Sequence, residues 1–305
     1  LLLIYFSYGA SGFSSIALSF WEKENLNLSA EQLVTISVWV LMPWSIKMVF
    51  GQMVDSIKIF GSHRKIYIFI GAGLMTIGTL VLVGMAQENA FLFQFGSQYS
   101  LYLIANLLLI LGFVMQDVTA DTMSTEVVKR KMRTQKSIQR EISMVQILGR
   151  LSFSLAGFLV AGLGGWLAAN FEYETIFWLM LLIPFISITG ALFVKLEKYE
   201  DKNVPPLDWK IFGGGLLFGA FSIFMGMHDF AFSQEIVFLV SLILLSAMLY
   251  FIAQKLPKDQ QKVLFCAITA LFLYRATPSV GPGLSWWEID ILDFDQKFFG
   301  VLAQI

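Results

Sequence analysis

Three ionisable residues of this sequence stand in apolar surroundings at spacings that would let them meet: Lys47, Asp117 and Asp121. Lys47 lies within the run PWSIKMVF, and the two aspartates follow a long apolar stretch that begins near residue 100. Asp117 and Asp121 are four residues apart, so a helix presents both on one face. A charged side chain at the middle of a bilayer costs several kcal/mol, which marks it as functional by default. The pattern predicts a buried charge site in which Lys47 pairs with one or both carboxylates.

The depth of these residues agrees with such a pairing. Counted along their predicted helices, Lys47 lies roughly 21 Å and Asp117 roughly 24 Å from the outer ends. Two interpretations remain open at this point. In the first, the role is structural: Lys47 and the aspartates form a fixed link between helices, or the Lys47 side chain extends towards the cytoplasm. Alternatively, the site exchanges charge partners as the protein works, through protonation of a carboxylate.

Two arginines are also predicted to lie inside helices. Arg150 lies roughly 14 Å and Arg275 roughly 20 Å from the cytoplasmic ends of their helices. Arginine stays charged and grips a carboxylate with two hydrogen bonds, which suits an anionic ligand. The structural alternatives are a pair of Arg150 with Asp117 or Glu126, and a pair of Arg275 with a helix beyond this chain. Glu126 itself is expected to be a surface or helix-end charge.

The composition indicates which elements must position these charges. Of the 305 residues, 57% are hydrophobic and 14% are charged, against roughly a quarter charged in soluble domains, so a membrane protein is predicted. A net charge of −1 argues against a nucleic-acid partner. One cysteine and two histidines exclude a disulfide framework and leave little for a metal site, so we expect no cofactor, no metal and no enzymatic activity.

Apolar windows of about 19 residues identify membrane-spanning helices. They predict an all-α, polytopic membrane protein with nine spans and a tenth beginning near Phe298. The chain begins at Leu1 within an apolar run and stops as another begins, so we expect it to be part of a longer polypeptide. The predicted spans are 1–20, 32–54, 66–86, 100–126, 141–164, 174–194, 211–230, 235–254 and 263–284.

Lysine and arginine residues orient these spans. Most of the 21 basic residues fall in four loops, 55–65, 127–140, 195–210 and 255–262, and the opposite loops hold only Lys23 and Lys297. The excess of positive charge predicts that the four loops are cytoplasmic, in a multi-pass protein of the cell (inner or plasma) membrane.

The loop 195–210 is the most polar connection and contains Pro205–Pro206, which prevents a continuous helix. It follows the sixth span, as in transporters built from two six-helix halves. We therefore predict a six-helix half over 1–194, a cytoplasmic central loop over 195–210, and a truncated second half over 211–305 with helices 7–9 and the start of helix 10.

The stretch PWSIKMVFGQMVDSIKIFGSHRK, residues 43–65, resembles the loop between the second and third helices of the major facilitator superfamily. The resemblance implies a helix bundle of that type and a conformational latch between its two halves, with Asp55 meeting a helix of the second half. The positions that match in order are Gly51, Asp55, Gly61, Arg64 and Lys65.

Within that superfamily, the chain resembles the folate–biopterin transporters. The similar segments are ALSFWEKENLNLSAEQ (17–32), the stretch 43–65, DVTADTMSTE (117–126) and YRATPS (274–279). Lys47, Asp117, Asp121 and Arg275 occupy motif positions of the family, whereas Arg150 is added from its depth. Met48 departs from the family, which usually has proline there.

This resemblance implies a secondary active transporter that moves a folate or pterin-type anion by alternating access, coupled to protons. Lys47 or Arg275 would hold the carboxylates of a folate, and Trp44 would stack against its flat ring. The implied partners are this solute, protons and the lipid bilayer, and we expect a monomer. Two alternatives stay open: a facilitator transporter of another organic anion or a sugar, and a non-transporting membrane assembly factor.

Overall fold

The architecture comes from a computed structural model, in which every regular element of the described residues is a helix. This confirms the predicted all-α class. The described residues are 1–26, 28, 30–60, 64–128, 135–194, 206–227, 232–254, 256–277 and 283–305.

Fourteen α-helices follow one another along the described parts of the chain. The first seven are α1 Leu2–Ala10, α2 Ser15–Asn25, α3 Ala30–Ser45, α4 Lys47–Ser56, α5 Lys65–Ala86, α6 Gln98–Glu126 and α7 Gln135–Asn170. The remaining seven are α8 Tyr173–Leu179, α9 Leu182–Phe193, α10 Trp209–Met227, α11 Ser233–Ala253, α12 Lys258–Arg275, α13 Gly283–Leu292 and α14 Gln296–Leu302. A short 3₁₀ turn, Ser11–Ser14, joins α1 to α2.

The chain divides into two compact units. The first comprises Leu1–Phe212 with Pro282–Ile305, and the second comprises Gly213–Gly281. The first unit contains α1–α9 with α13 and α14, and the second contains α11, α12 and most of α10. The predicted division into two six-helix halves at the 195–210 loop rests on counting spans, not on compactness, and it stays a prediction.

Five helical segments in the described part of the chain are long and apolar enough to cross a membrane. Their bounds agree with five of the predicted spans, which confirms a multi-pass membrane protein. Helices suit this setting because each satisfies its own backbone hydrogen bonds where no water is available. The segments are Leu2–Asn25, Lys65–Ala86, Gln98–Glu126, Gln135–Asn170 and Tyr173–Phe193, and α10 and α11 contain shorter apolar stretches.

The predicted second span, 32–54, consists of two consecutive helices rather than one. Pro43 lies inside α3, and Ile46 leaves helical geometry at φ −100° and ψ 20° between Ser45 and Lys47. Proline removes a backbone donor and crowds the preceding turn, which weakens the helix in this region. The break makes Lys47 the first residue of α4.

The predicted ninth span, 263–284, also differs from the structure. The helix α12 ends at Arg275, well before residue 284. Pro278 follows shortly in the sequence, and a residue that precedes proline is disfavoured in helical conformation, so an early end is expected. Residues 278–282 lie outside the described residues.

A close crossing of α5 and α6 organises the first unit. A Cβ atom on Gly112 would lie 2.5 Å from the carbonyl oxygen of Gly71, and one on Gly71 would lie 2.8 Å from the carbonyl oxygen of Gly112. The two backbones therefore touch where both residues lack side chains. Small residues at such crossings let membrane helices approach closely.

Replacement of Gly112 by alanine should destabilise the protein by about 1–3 kcal/mol, because the new methyl group overlaps the backbone of α5. Gly73→Ala is the matched control, since a Cβ on Gly73 meets nothing within 4 Å. Alanine is the better helix former, so this control should be neutral or more stable by about 0.5–1 kcal/mol. Thermal unfolding of the purified protein in detergent measures both changes. Equal melting temperatures for the two variants would contradict the crossing.

Candidate functional site: a buried charge cluster

Lys47 and the two aspartates come together as the sequence predicts. The Lys47 ammonium lies 2.5 Å from Asp117 Oδ2 and 3.4 Å from Asp121 Oδ2. Both aspartates project from α6 one turn apart, so one lysine at the start of α4 reaches both. The Asp117 side chain is 3% exposed and that of Lys47 is 36% exposed. The predicted contact is confirmed, and its role in the working protein stays a prediction.

The cluster contains two carboxylates for one lysine, and α1 supplies a further polar partner. The Tyr5 hydroxyl donates a hydrogen bond to Asp121 Oδ1 at 2.9 Å. Asp117 has no equivalent, because its Oδ1 atom is buried and has no hydrogen-bond partner in the described residues. A carboxylate oxygen buried without a donor is costly, so the ion pair of Asp117 with Lys47 has to offset this cost.

Trp44 lies one turn before Lys47 and adds an aromatic partner. The Lys47 ammonium lies 5.7 Å from the centroid of the Trp44 ring, a cation–π distance. The Tyr8 ring stacks on the Trp44 ring at 6.0 Å with an interplanar angle of 29°. The predicted stacking of a ligand on Trp44 would therefore have to share or displace contacts that Tyr8 and Lys47 already make.

Aromatic rings from α6 and α7 enclose Tyr8. Its centroid lies 5.7 Å from that of Phe113 and 4.9 Å from that of Phe153. These contacts hold Tyr8 in place beside Trp44 and Lys47.

Arg150 is positioned beside the cluster without pairing to its predicted partners. Its neighbour Gly149 lies against the Tyr5 ring, where a Cβ would approach to 2.7 Å. The Arg150 side chain is exposed, and in the described residues it forms no ion pair with Asp117 or Glu126. Its predicted role as a ligand residue stays a prediction.

Arg275 belongs to the second compact unit, where it is the last residue of α12 and is exposed. Its predicted participation in the same site as Lys47 stays a prediction. Among the described residues, no group of three or more histidine, cysteine, aspartate or glutamate side chains is arranged to hold a metal ion.

A second charge cluster forms around Arg64, one of the predicted latch residues. Arg64 is 6% exposed, and its Nε and Nη2 atoms lie 2.9 Å and 2.8 Å from Glu126 Oε1. Its Nη1 atom lies 3.1 Å from Asp55 Oδ1 and also donates to the backbone carbonyl of Val54. The guanidinium thus joins the ends of α4 and α6. Glu126 is the last residue of α6, as expected for a helix-end charge, but it is not a surface charge, because Arg64 provides a buried partner for it.

The remaining latch residues have separate positions. Gly51 lies on α4 against α6, where its Cβ would be 4.0 Å from the Val118 side chain. The Lys65 ammonium lies 3.4 Å from the backbone carbonyl of Leu192. Gly61 lies outside the described residues.

Sequence reasoning missed Tyr5 and Tyr8 as members of the site. They are three residues apart in the apolar run LLLIYFSYGA, which places two hydroxyl-bearing rings on one helix face. That spacing was a usable signal, although it did not indicate which other helix the face would meet.

Comparison with known proteins gives one family match. The model of the BT1 family matches residues 8–304. A protein named folate-biopterin transporter, from Synechocystis sp., is 22% identical over 303 residues, which is 98% of this chain and 49% of that protein.

Two eukaryotic proteins are also similar. Probable folate-biopterin transporter 4 of Arabidopsis thaliana is 29% identical over 206 residues, which is 67% of this chain and 39% of the relative. Folate transporter 1 of Plasmodium falciparum is 24% identical over 202 residues, which is 66% of this chain and 37% of the relative. The chain thus spans half or less of the length of each of these curated relatives.

Removal of the Lys47 charge should destabilise the protein, because Asp117 would be left buried with no cation. We expect Lys47→Met to cost about 2 kcal/mol, below the range for fully buried pairs since Lys47 is partly exposed. The double variant Lys47→Met/Asp117→Leu should regain part of this loss. The exposed Lys297 provides the control, Lys297→Met. Thermal unfolding in detergent measures the series, and a double variant less stable than Lys47→Met would argue against the pairing.

Removal of the Arg64 charge should lower the free energy of unfolding more than removal of the neighbouring Lys65 charge. Arg64→Gln leaves Glu126 buried without its guanidinium, and we expect a loss of about 3 kcal/mol. Lys65→Gln removes a more exposed charge and should cost less than about 1 kcal/mol. The same unfolding measurement compares the two variants. Similar losses for both would show that the Arg64 contacts are not stabilising.

Proposed function

The chain belongs to the BT1 family, as its resemblance to folate–biopterin transporters predicted, and we propose that it is part of a secondary active transporter of a folate or pterin-type anion. The observation that carries this proposal is the cluster in which the partly exposed Lys47 pairs with the buried Asp117 and the partly exposed Asp121 of the apolar, membrane-length helix α6. Charged groups at such depth characterise solute and proton pathways. The names of the similar proteins support the choice of solute class.

The geometry of the cluster suggests how an anion would bind. Lys47 already satisfies two carboxylates, so it can receive a carboxylate of the solute only by releasing one of them. Asp121 is the partner that it would release, because its Lys47 distance is the longer one and Tyr5 already donates to it. The lysine would then keep Asp117 and gain the solute.

Proton coupling follows from the same charge balance. The two aspartates and Lys47 carry a formal excess of one negative charge, and an incoming anion would raise that excess. A proton on an aspartate would offset it and weaken that residue's attraction to Lys47. Asp121, which Lys47 would release and which is the more exposed of the two carboxylates, is the proposed acceptor. Anion and proton would therefore enter the site together, as in a symporter.

Alternating access requires contacts that form and break at the ends of the helices. The Arg64 cluster joins α4 and α6 next to the predicted cytoplasmic loop 55–65, and we assign it the latch function. The second partner of the latch would come from the second half of a facilitator-type fold, and Arg275 remains a proposed solute-binding residue of that half. The cytoplasmic side of the four basic loops and the location in the cell membrane belong to the same proposal.

Uptake of radiolabelled folic acid and biopterin by cells that produce the complete protein tests this function. Lys47→Ala and Asp121→Asn should each lower uptake at least about tenfold, a loss of roughly 1.4 kcal/mol of binding or transition-state free energy, while surface labelling shows normal membrane delivery. Lys297→Ala serves as the control. A protonophore should reduce uptake by the unaltered protein if protons drive it.

Three outcomes would contradict parts of the proposal. Normal uptake by both variants would remove the cluster from the solute and proton pathway. Uptake of another organic anion or a sugar, but of neither folates nor pterins, would favour the alternative solute class. Co-purification with a partner and no flux of any solute would favour an assembly factor.

A further inference from the structure

A polar cavity lies in the first unit, away from the Lys47 cluster. It has a volume of about 200 Å³, and its walls come from α2, α3, α6 and α13. A water molecule occupies about 30 Å³ of liquid, so the space would hold roughly six waters or a small ring system. Its polar walls are formed by Ser19, Glu22, Ser37, Tyr102 and Asn106.

Glu22 is the charged group of this cavity. One of its carboxylate oxygens, Oε1, accepts a hydrogen bond from the hydroxyl of the buried Tyr102. In the described residues, the Glu22 side chain makes no other hydrogen bond or ion pair, so Oε2 is free to accept. Ser19 lies three residues before Glu22 and shares its helix face, which places both on the same wall.

The neighbouring lysine does not neutralise Glu22. The Lys23 ammonium pairs with Asp290 of α13 and lies 3.5 Å from the backbone carbonyl of Trp286. This contact secures Trp286 at the wall of the cavity, and it directs the positive charge to another carboxylate. No cation among the described lining residues of the cavity therefore pairs with Glu22.

Asn106 adds a second acceptor to the same cavity. Its Nδ2 atom donates to the backbone carbonyl of Tyr102 at 2.9 Å, and its amide oxygen has no hydrogen-bond partner in the described residues. The Trp286 and Tyr102 rings provide flat, apolar surface beside these acceptors. The cavity thus offers acceptors next to aromatic walls, which fits a planar ring that donates N–H groups.

The cavity is distinct from the Lys47 site along α6, the helix that contributes to both. Tyr102 precedes Asp117 by fifteen residues of this helix, which corresponds to about 22 Å along its axis. Lys47 provides a cation for carboxylates, whereas Glu22 provides an acceptor for N–H donors. The two sites would therefore bind different chemical ends of a solute.

We propose that this cavity is a binding site for the 2-amino-4-oxopyrimidine edge of a pterin ring, with Glu22 as its acceptor. That edge presents an amino group and a ring N–H side by side, and a carboxylate accepts such a donor pair as it does the two donors of a guanidinium. Trp286 and Tyr102 contact the faces or edges of the ring, and Asn106 accepts a further hydrogen bond. The proposal rests on the proposed folate or pterin solute.

Binding of tritiated 6-methylpterin to the complete purified protein tests the site without any need for transport. Unlabelled 6-methylpterin and 6-methyllumazine then compete, because the lumazine carries an oxo group in place of the 2-amino donor. We expect the pterin to compete at least about tenfold better, since the lumazine leaves an acceptor of Glu22 without a donor and places an oxygen against it.

Variants of Glu22 connect this preference to the carboxylate. Glu22→Gln should lower pterin affinity about tenfold and remove the preference over lumazine, because an amide replaces one acceptor by a donor. Glu22→Asp keeps the carboxylate and should retain the preference. Glu172→Gln is the matched control, since Glu172 is exposed and its side chain forms no capping hydrogen bond.

The outcomes separate this site from the transport proposal. Equal competition by pterin and lumazine, or an unchanged preference in Glu22→Gln, would overturn the site even if the protein takes up folates. Binding with the expected preference in a protein that moves no folate or pterin would uphold the site and overturn the transport function. A protein that neither binds pterin nor takes it up would overturn both.

Discussion

The carboxylate of Asp117 is the constraint on which the rest of the first unit depends. It is buried in an apolar helix bundle, where an unpaired charge is far too costly to persist. The Lys47 ammonium at 2.5 Å meets this requirement, so α4 must begin beside the middle of α6. A break in the helix before Lys47 allows it. The lysine at a helix N-terminus opposes the helix dipole, and the two aspartates offset that cost.

Lys47 and Asp117 can pair only if the helices of the first unit pack closely together. Lipid tails are as apolar as leucine, so membrane helices associate through packing rather than through the hydrophobic effect. Gly71 and Gly112 bring the backbones of α5 and α6 into contact. Gly9 does the same for α1 and α7, since its Cβ would lie 2.1 Å from the carbonyl oxygen of Phe153. This approach brings α1 close enough for Tyr5 to reach Asp121.

The helix α6 connects three polar regions of the unit. Its beginning carries Tyr102 at the Glu22 cavity, its middle carries Asp117 and Asp121, and its end carries Glu126 in the Arg64 cluster. Because one rigid helix bears all three, a displacement of α6 would alter their contacts together. A change in the contacts of Asp117 and Asp121 that moves α6 would then also alter the contacts at its two ends.

The sequence by itself determined the all-α membrane class, most span positions and the family resemblance, because apolar length and motifs are local properties. It also predicted the long-range Lys47–aspartate contact, because few charges lie inside the spans and these three lie at similar depth. The break in the second span was harder to predict, because Pro43 weakens a helix but does not determine the residue at which the helix ends. Only the tertiary structure decided that Tyr5 joins Asp121, that Arg64 buries Glu126, and that Glu22 faces a cavity. These contacts join residues far apart in the chain, and helix packing selects them from many partners of equal chemical suitability.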